Sequence, residues 1–85
     1  MNTHFTKLIK ANERLREFNF RKLPSTSEGL FHVDVSDDRG NRLIFKMQKE
    51  GNHWRILDET TLPKWIHESE GLMNTAIEDE LHASS

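Results

Sequence analysis

Between Phe31 and Met47 the chain reads FHVDVSDDRGNRLIFKM, with apolar residues alternating with polar ones on both sides of a glycine-containing turn. Period-two alternation of this kind predicts two half-buried antiparallel strands. With Asp38, Arg39 and Gly40 as a three-residue loop, and Gly40 in the left-handed region that glycine enters at least cost, Asp37 pairs with Asn41. That register sets Val35 opposite Leu43, Val33 opposite Phe45 and Phe31 opposite Met47. All three pairs are apolar, and a slip of one residue would turn polar side chains into the same face, so pattern and turn chemistry specify one register. A second turn in KEGNHW, over Glu50-Gly51 or Gly51-Asn52, leads to Trp54 and Ile56 on the same face and predicts a third strand. The alternation of Phe18 and Phe20 in EFNFRKLP predicts a short fourth strand, followed by the polar loop PSTSEG.

Helical spacing flanks these strands. Phe5, Leu8, Ile9 and Leu15 fit a helical stripe from about Thr3 to Arg16. Pro63, at a first helical position, opens a second helix with Trp65, Ile66, Ser69, Met73, Ala76, Ile77 and Glu80 at helical spacing and Gly71 as a site of bending or close packing. The tail HASS is expected to fray. The expected fold class is therefore α+β: one domain over residues 1–85, its ordered body spanning about 3–81. The expected order is helix, three- or four-stranded antiparallel meander, helix, with both helices on one apolar sheet face. That order resembles the double-stranded RNA-binding domain. The family carries a Lys-rich cluster at the start of its final helix to grip phosphates, where this chain has TTLPKWIHESE, with Lys64 alone among several acids. The resemblance thus implies an element order and lacks the residues for the family's phosphate contacts.

Composition narrows the function classes. A chain of 85 residues supports one modest core, for which self-association is a common supplement, and five Phe with two Trp supply that core in a chain that is 31% charged. The absence of cysteine excludes disulfides and thiolate chemistry and suits a reducing compartment. The opening MNTHFTKLIK has no apolar signal region and no run suits a membrane span, so a cytoplasmic, soluble protein is expected. Charge is uneven: residues 1–23 carry a net +4, residues 24–57 balance, and residues 58–85 carry −6, for a total of −2. Such asymmetry marks either two ends that attract each other or a basic arm for an acidic partner.

The polar side of the hairpin holds the candidate chemistry. In the register above His32 lies across from Lys46, Asp34 from Ile44 and Ser36 from Arg42, with Arg55 emerging from the third strand. On an otherwise solvated face, His32, Arg42, Lys46 and Arg55 form a candidate anion- or peptide-binding surface. No aromatic residue is interleaved among them to stack bases. His32 and Asp34 share a strand face, but Lys46 opposes a cation there, and His67 with Glu70 lacks a third ligand, so no metal or cofactor is expected. Asp37 and Asp38 suit a turn, Ser25, Thr26 and Ser27 have no nucleophile motif, and Gly29, Gly40, Gly51 and Gly71 form no phosphate loop. No catalytic residue and no enzyme are expected. The expectation is a small non-enzymatic protein-binding or regulatory module that offers a strand edge to a protein partner. Self-association as a homodimer is expected through such an edge or through Trp65 and Ile66. The alternative is an accessory nucleic-acid binder using the basic N-terminal segment; an enzyme ranks third.

Overall fold

Strands dominate the architecture. The computed structural model describes residues 3–23, 29–57 and 62–83. Five strands, β1 (His4–Ala11), β2 (Arg14–Lys22), β3 (Leu30–Ser36), β4 (Arg42–Glu50) and β5 (His53–Ile56), pair antiparallel in chain order, and the sheet curls into half a barrel. Two helices, α1 (Lys64–Glu68) and α2 (Glu70–Ala83), follow and pack on the inner side, α2 reaching both β5 and β1. The expected loop PSTSEG falls largely at residues 24–28, outside the described residues, as do Ser84 and Ser85 of the tail.

The β3–β4 register is the one the alternation specifies, with Phe31 opposite Met47, Val33 opposite Phe45 and Val35 opposite Leu43. Gly40 has φ +83°, and Asp37 N–H donates to the Asn41 carbonyl at 2.9 Å. The Asp37 carboxylate accepts from the Arg39 and Asn41 amides at 2.9 and 2.8 Å. Desolvation, the largest single influence, raises its pKa, but these bonds together outweigh it and hold the pKa below the usual value. The β4–β5 loop is Gly51-Asn52, since Glu50 pairs with His53.

The expected N-terminal helix over Thr3–Arg16 is overturned: this stretch is the β1–β2 hairpin, and the helix–meander–helix order goes with it. Its apolar spacing has two sources. Phe5, Ile9 and Ala11 face the core at strand spacing, whereas Leu8 and Leu15 are on the outer face, 61% and 68% exposed. Ala11 pairs with Arg14 across a two-residue turn in which Asn12 and Glu13 have φ of 53° and 68°. Both central residues of a type I′ turn need that left-handed backbone. Asn adopts it readily but Glu does not, so the turn lacks the Asn-Gly signature that would announce a hairpin.

The C-terminal helical region is present but divides at Ser69. Ser69 Oγ donates to the Trp65 carbonyl at 2.7 Å, a back-bond that competes with the regular ladder. Gly71, the expected site of bending or close packing, is exposed with open space where a Cβ would stand. Pro63 precedes the helix as its N-cap. The core fills the trough between sheet and helices: Phe5 stacks on Phe20 at 4.7 Å between centroids, and Phe31 meets Trp54 edge-on at 5.0 Å. Ile66, Met73, Ala76 and Ile77 close it from the helix side. Gly29 is needed here, because at φ +85° a Cβ would stand 2.9 Å from Trp54 Cη2.

Candidate functional site

An open sheet has two edges, and each exposes peptide groups that need partners. The β5 edge is covered. Glu70, Asn74 and Glu78 recur every four residues along one face of α2. Glu70 Oε2 accepts the Ile56 amide at 2.9 Å and Asn74 Oδ1 accepts the Trp54 amide at 2.7 Å. Four helical residues rise about 6.0 Å and two strand residues about 6.8 Å, so these side-chain oxygens match the spacing of the carbonyls of a neighbouring strand. Glu78 Oε2 continues the row, accepting from Trp54 Nε1 and Lys49 Nζ, each at 2.8 Å. The Lys49 hydrogen bond, then that of Trp54, holds the Glu78 pKa below the usual carboxylate value.

Among the described residues the β1 edge is open. Lys22 N–H donates to the Thr3 carbonyl at 2.8 Å, and Ala11 and Arg14 flank a two-residue turn, so odd-numbered residues of β1 direct their peptide groups to β2. His4, Thr6, Leu8 and Lys10 direct theirs outward, and among the described residues no hydrogen bond reaches them. Beside this edge runs a largely apolar groove of about 270 Å³. Its strand wall is Lys7, Leu8, Ile9 and Lys10, consecutive residues from both faces, which only the edge of a strand presents together. Its helix wall is Leu72, Thr75, Ala76 and Asp79.

The outer sheet face redistributes the candidate bases. Arg42 is tied to Asp34 and Arg55 to Glu50, whereas His32 and Lys46 face each other with no ion pair among the described residues. One residue of the supposed helix and one of the expected fourth strand join them: His4 pairs with Arg21 and Arg21 with His32. The result is a transverse row, His4–Arg21–His32–Lys46, one base on each of four adjacent strands. It spans three interstrand steps of about 4.8 Å each. Pattern reading missed His4 because a helix over residues 3–16 separates it from the sheet, and Arg21 because the expected strand in EFNFRKLP carries no turn signal that sets its register against β3. No family model, curated protein or solved structure matches this chain.

A second depression, about 320 Å³, lies where β2 and β3 part beyond their four paired positions. Asp38 staples its walls, accepting from Arg14 Nη1 and Arg16 Nη1 at 3.0 Å each. The Arg16 hydrogen bond is the largest influence holding the Asp38 pKa low. Arg16 is buried, donates Nε–H to the Ala11 carbonyl at 2.8 Å and lies 4.4 Å over the Trp65 ring. Its charge is thus matched by one carboxylate, one carbonyl and an aromatic face. Of the pair proposed for self-association, Ile66 is fully buried within the chain and Trp65 is half-buried beneath Arg16. His67 is exposed, Glu70 accepts from the Ile56 amide, and Asp34 is engaged by Asn19 and Arg42.

Proposed function

We propose that this protein is a non-enzymatic protein-binding module that accepts an extended segment of its partner as a sixth strand on β1. The observation that carries the reading is the unequal treatment of the two edges. Side chains of α2 occupy the outward amides of β5 and leave those of β1 open beside an apolar groove. Strand addition draws affinity from main-chain hydrogen bonds and selectivity from pockets for alternate side chains. Here the outward peptide groups supply the first and the Leu72–Ala76 wall the second. A reducing, cytoplasmic setting belongs to the same reading, on the cysteine-free composition.

The test is selection of binders from a random heptapeptide library, followed by mapping of amide shifts and exchange rates. Bound peptides should protect the Thr6, Leu8 and Lys10 amides, and Leu8→Pro should abolish binding while sparing the β1–β2 ladder, since that amide points away from β2. Binders that perturb only the depression between β2 and β3, or no binders at all, would overturn the reading.

A further inference from the structure

Resting on strand addition at β1, we infer that the partner segment is acidic at both ends: seven residues with Asp or Glu at the first and seventh positions. Register dictates this spacing. His4, Thr6, Leu8 and Lys10 share the outer face of β1, and residues of an added strand that stand opposite them lie on that same face. In antiparallel orientation, position 1 meets Lys10, position 3 the exposed Leu8, position 5 Thr6 and position 7 His4. Reversing the strand exchanges the ends and leaves acids at both. Positions 2 and 6 turn inward opposite Ile9 and Phe5, toward Leu72 and Ala76, and take apolar residues.

The charge on the sheet face strengthens the terminal positions. The added strand extends the row His4–Arg21–His32–Lys46 by one place, and an acid there adjoins His4 directly with Arg21 behind it. Arg21 and Lys46 are the two cations of the row, with His4 and His32 on the strands beside them. None of the four has an ion pair among the described residues. The nearest outer-face carboxylates are Asp34, engaged by Arg42, and Glu17, opposite Leu8. With no described ion pair reaching the row, an anion that adjoins it gains a cross-strand partner of opposite charge.

A second copy of the chain fits the edge poorly. β1 reads HFTKLIKA and has no acid. A symmetric antiparallel pair with Thr6 opposite Leu8 sets Lys10 of each copy against His4 of the other, and Lys7 against its own equivalent. An acidic segment removes both conflicts.

The experiment titrates the full chain with three synthetic heptapeptides sharing one apolar interior: Glu at positions 1 and 7, Lys at those positions, and the Glu peptide N-methylated on its β1-facing amides. The Glu peptide should bind roughly tenfold more tightly than the Lys peptide at low salt, a gap set by the charge reversal across from Lys10 and by the one beside His4 with Arg21 behind it. The gap should narrow at about 0.5 M salt, and N-methylation should abolish binding. Arg21→Glu should shrink the preference, with its melting curve reporting that the fold is intact. Equal binding of Glu and Lys peptides, both lost on N-methylation, would overturn the acidic partner while strand addition stands. Failure of every peptide to bind would overturn strand addition as well. Binding of a DNA duplex that is lost in Arg21→Glu, with no preference for the Glu peptide, would assign the row to phosphates and overturn the inference. A dimer by sedimentation that excludes the peptides would give the edge to a second copy and do the same.

Discussion

Glu78 joins three elements at one carboxylate, taking hydrogen bonds from Lys49 on β4 and Trp54 on β5 while standing on α2. Because its folded pKa lies below its ordinary 4.5, its contribution to stability is fully present above that value and is lost as pH falls through the folded pKa. Denaturant melts of the wild type and Glu78→Gln should therefore differ at about pH 6, wild type the more stable, and converge as pH falls below 4.5 and through the folded pKa. Asp37 and Asp38, also depressed, weaken both proteins alike over that range, so the difference isolates Glu78. A gap that persists undiminished to low pH would mean the side chain acts by packing and not by charge.

At the scale of elements, the β1–β2 hairpin holds its register with a turn that is half suited to its task. Glu13 sits at φ 68°, where a side chain costs roughly 1 kcal/mol. Glu13→Gly removes that cost, partly offset by the greater freedom of glycine in the unfolded chain, and should stabilise the protein by about 0.5–1 kcal/mol in a denaturant melt. Loss of stability would show that Glu13 makes an interaction that outweighs its backbone strain. The same turn explains the helix expected over Thr3–Arg16. Phe5 and Ile9 are four apart and suit either period, and Leu8 and Leu15 complete a helical stripe although both are exposed on the outer face. Arg16, charged yet buried, occupies an inward strand position that no hydrophobic count would assign to the core.

For the molecule as a whole, the sheet separates a packed inner face from a charged outer one. Phe45 is 3% exposed in the trough and Lys46, the next residue, points to solvent. Phe45→Ala should cost about 3–5 kcal/mol, and Lys46→Ala should change stability by less than about 0.5 kcal/mol. Equal losses on denaturation would contradict this division of faces. The charge asymmetry along the chain also acquires a location. Both helices pack near β1, but the described ion pairs of α2 with the sheet run to Lys49 and His53, in the middle of the sequence. Of the cations of the N-terminal hairpin, Arg14 and Arg16 pair with Asp38 and Arg21 stands in the outer row.

Local pattern determined the β3–β4 hairpin completely, down to which residue faces which, because alternation, a glycine at the one left-handed position and an Asp suited to the turn all depend on neighbours within seventeen residues. It also determined which faces of the C-terminal helices are buried, since Ile66, Ser69, Met73, Ala76 and Ile77 repeat at helical spacing. What joins β1 to β2 was decided by tertiary structure: the trough needs Phe5 and Ile9 opposite Phe20 and Arg16, a requirement set by β3 and α1 and invisible in the hairpin's own residues. The candidate site belongs to that second category. Whether an edge is open depends on what covers it, and Glu70 and Asn74 reach β5 across 14 and 20 residues of sequence. The basic row arises only when four strands align, because hydrogen-bonded register brings together His4, Arg21, His32 and Lys46 from positions that share no local pattern.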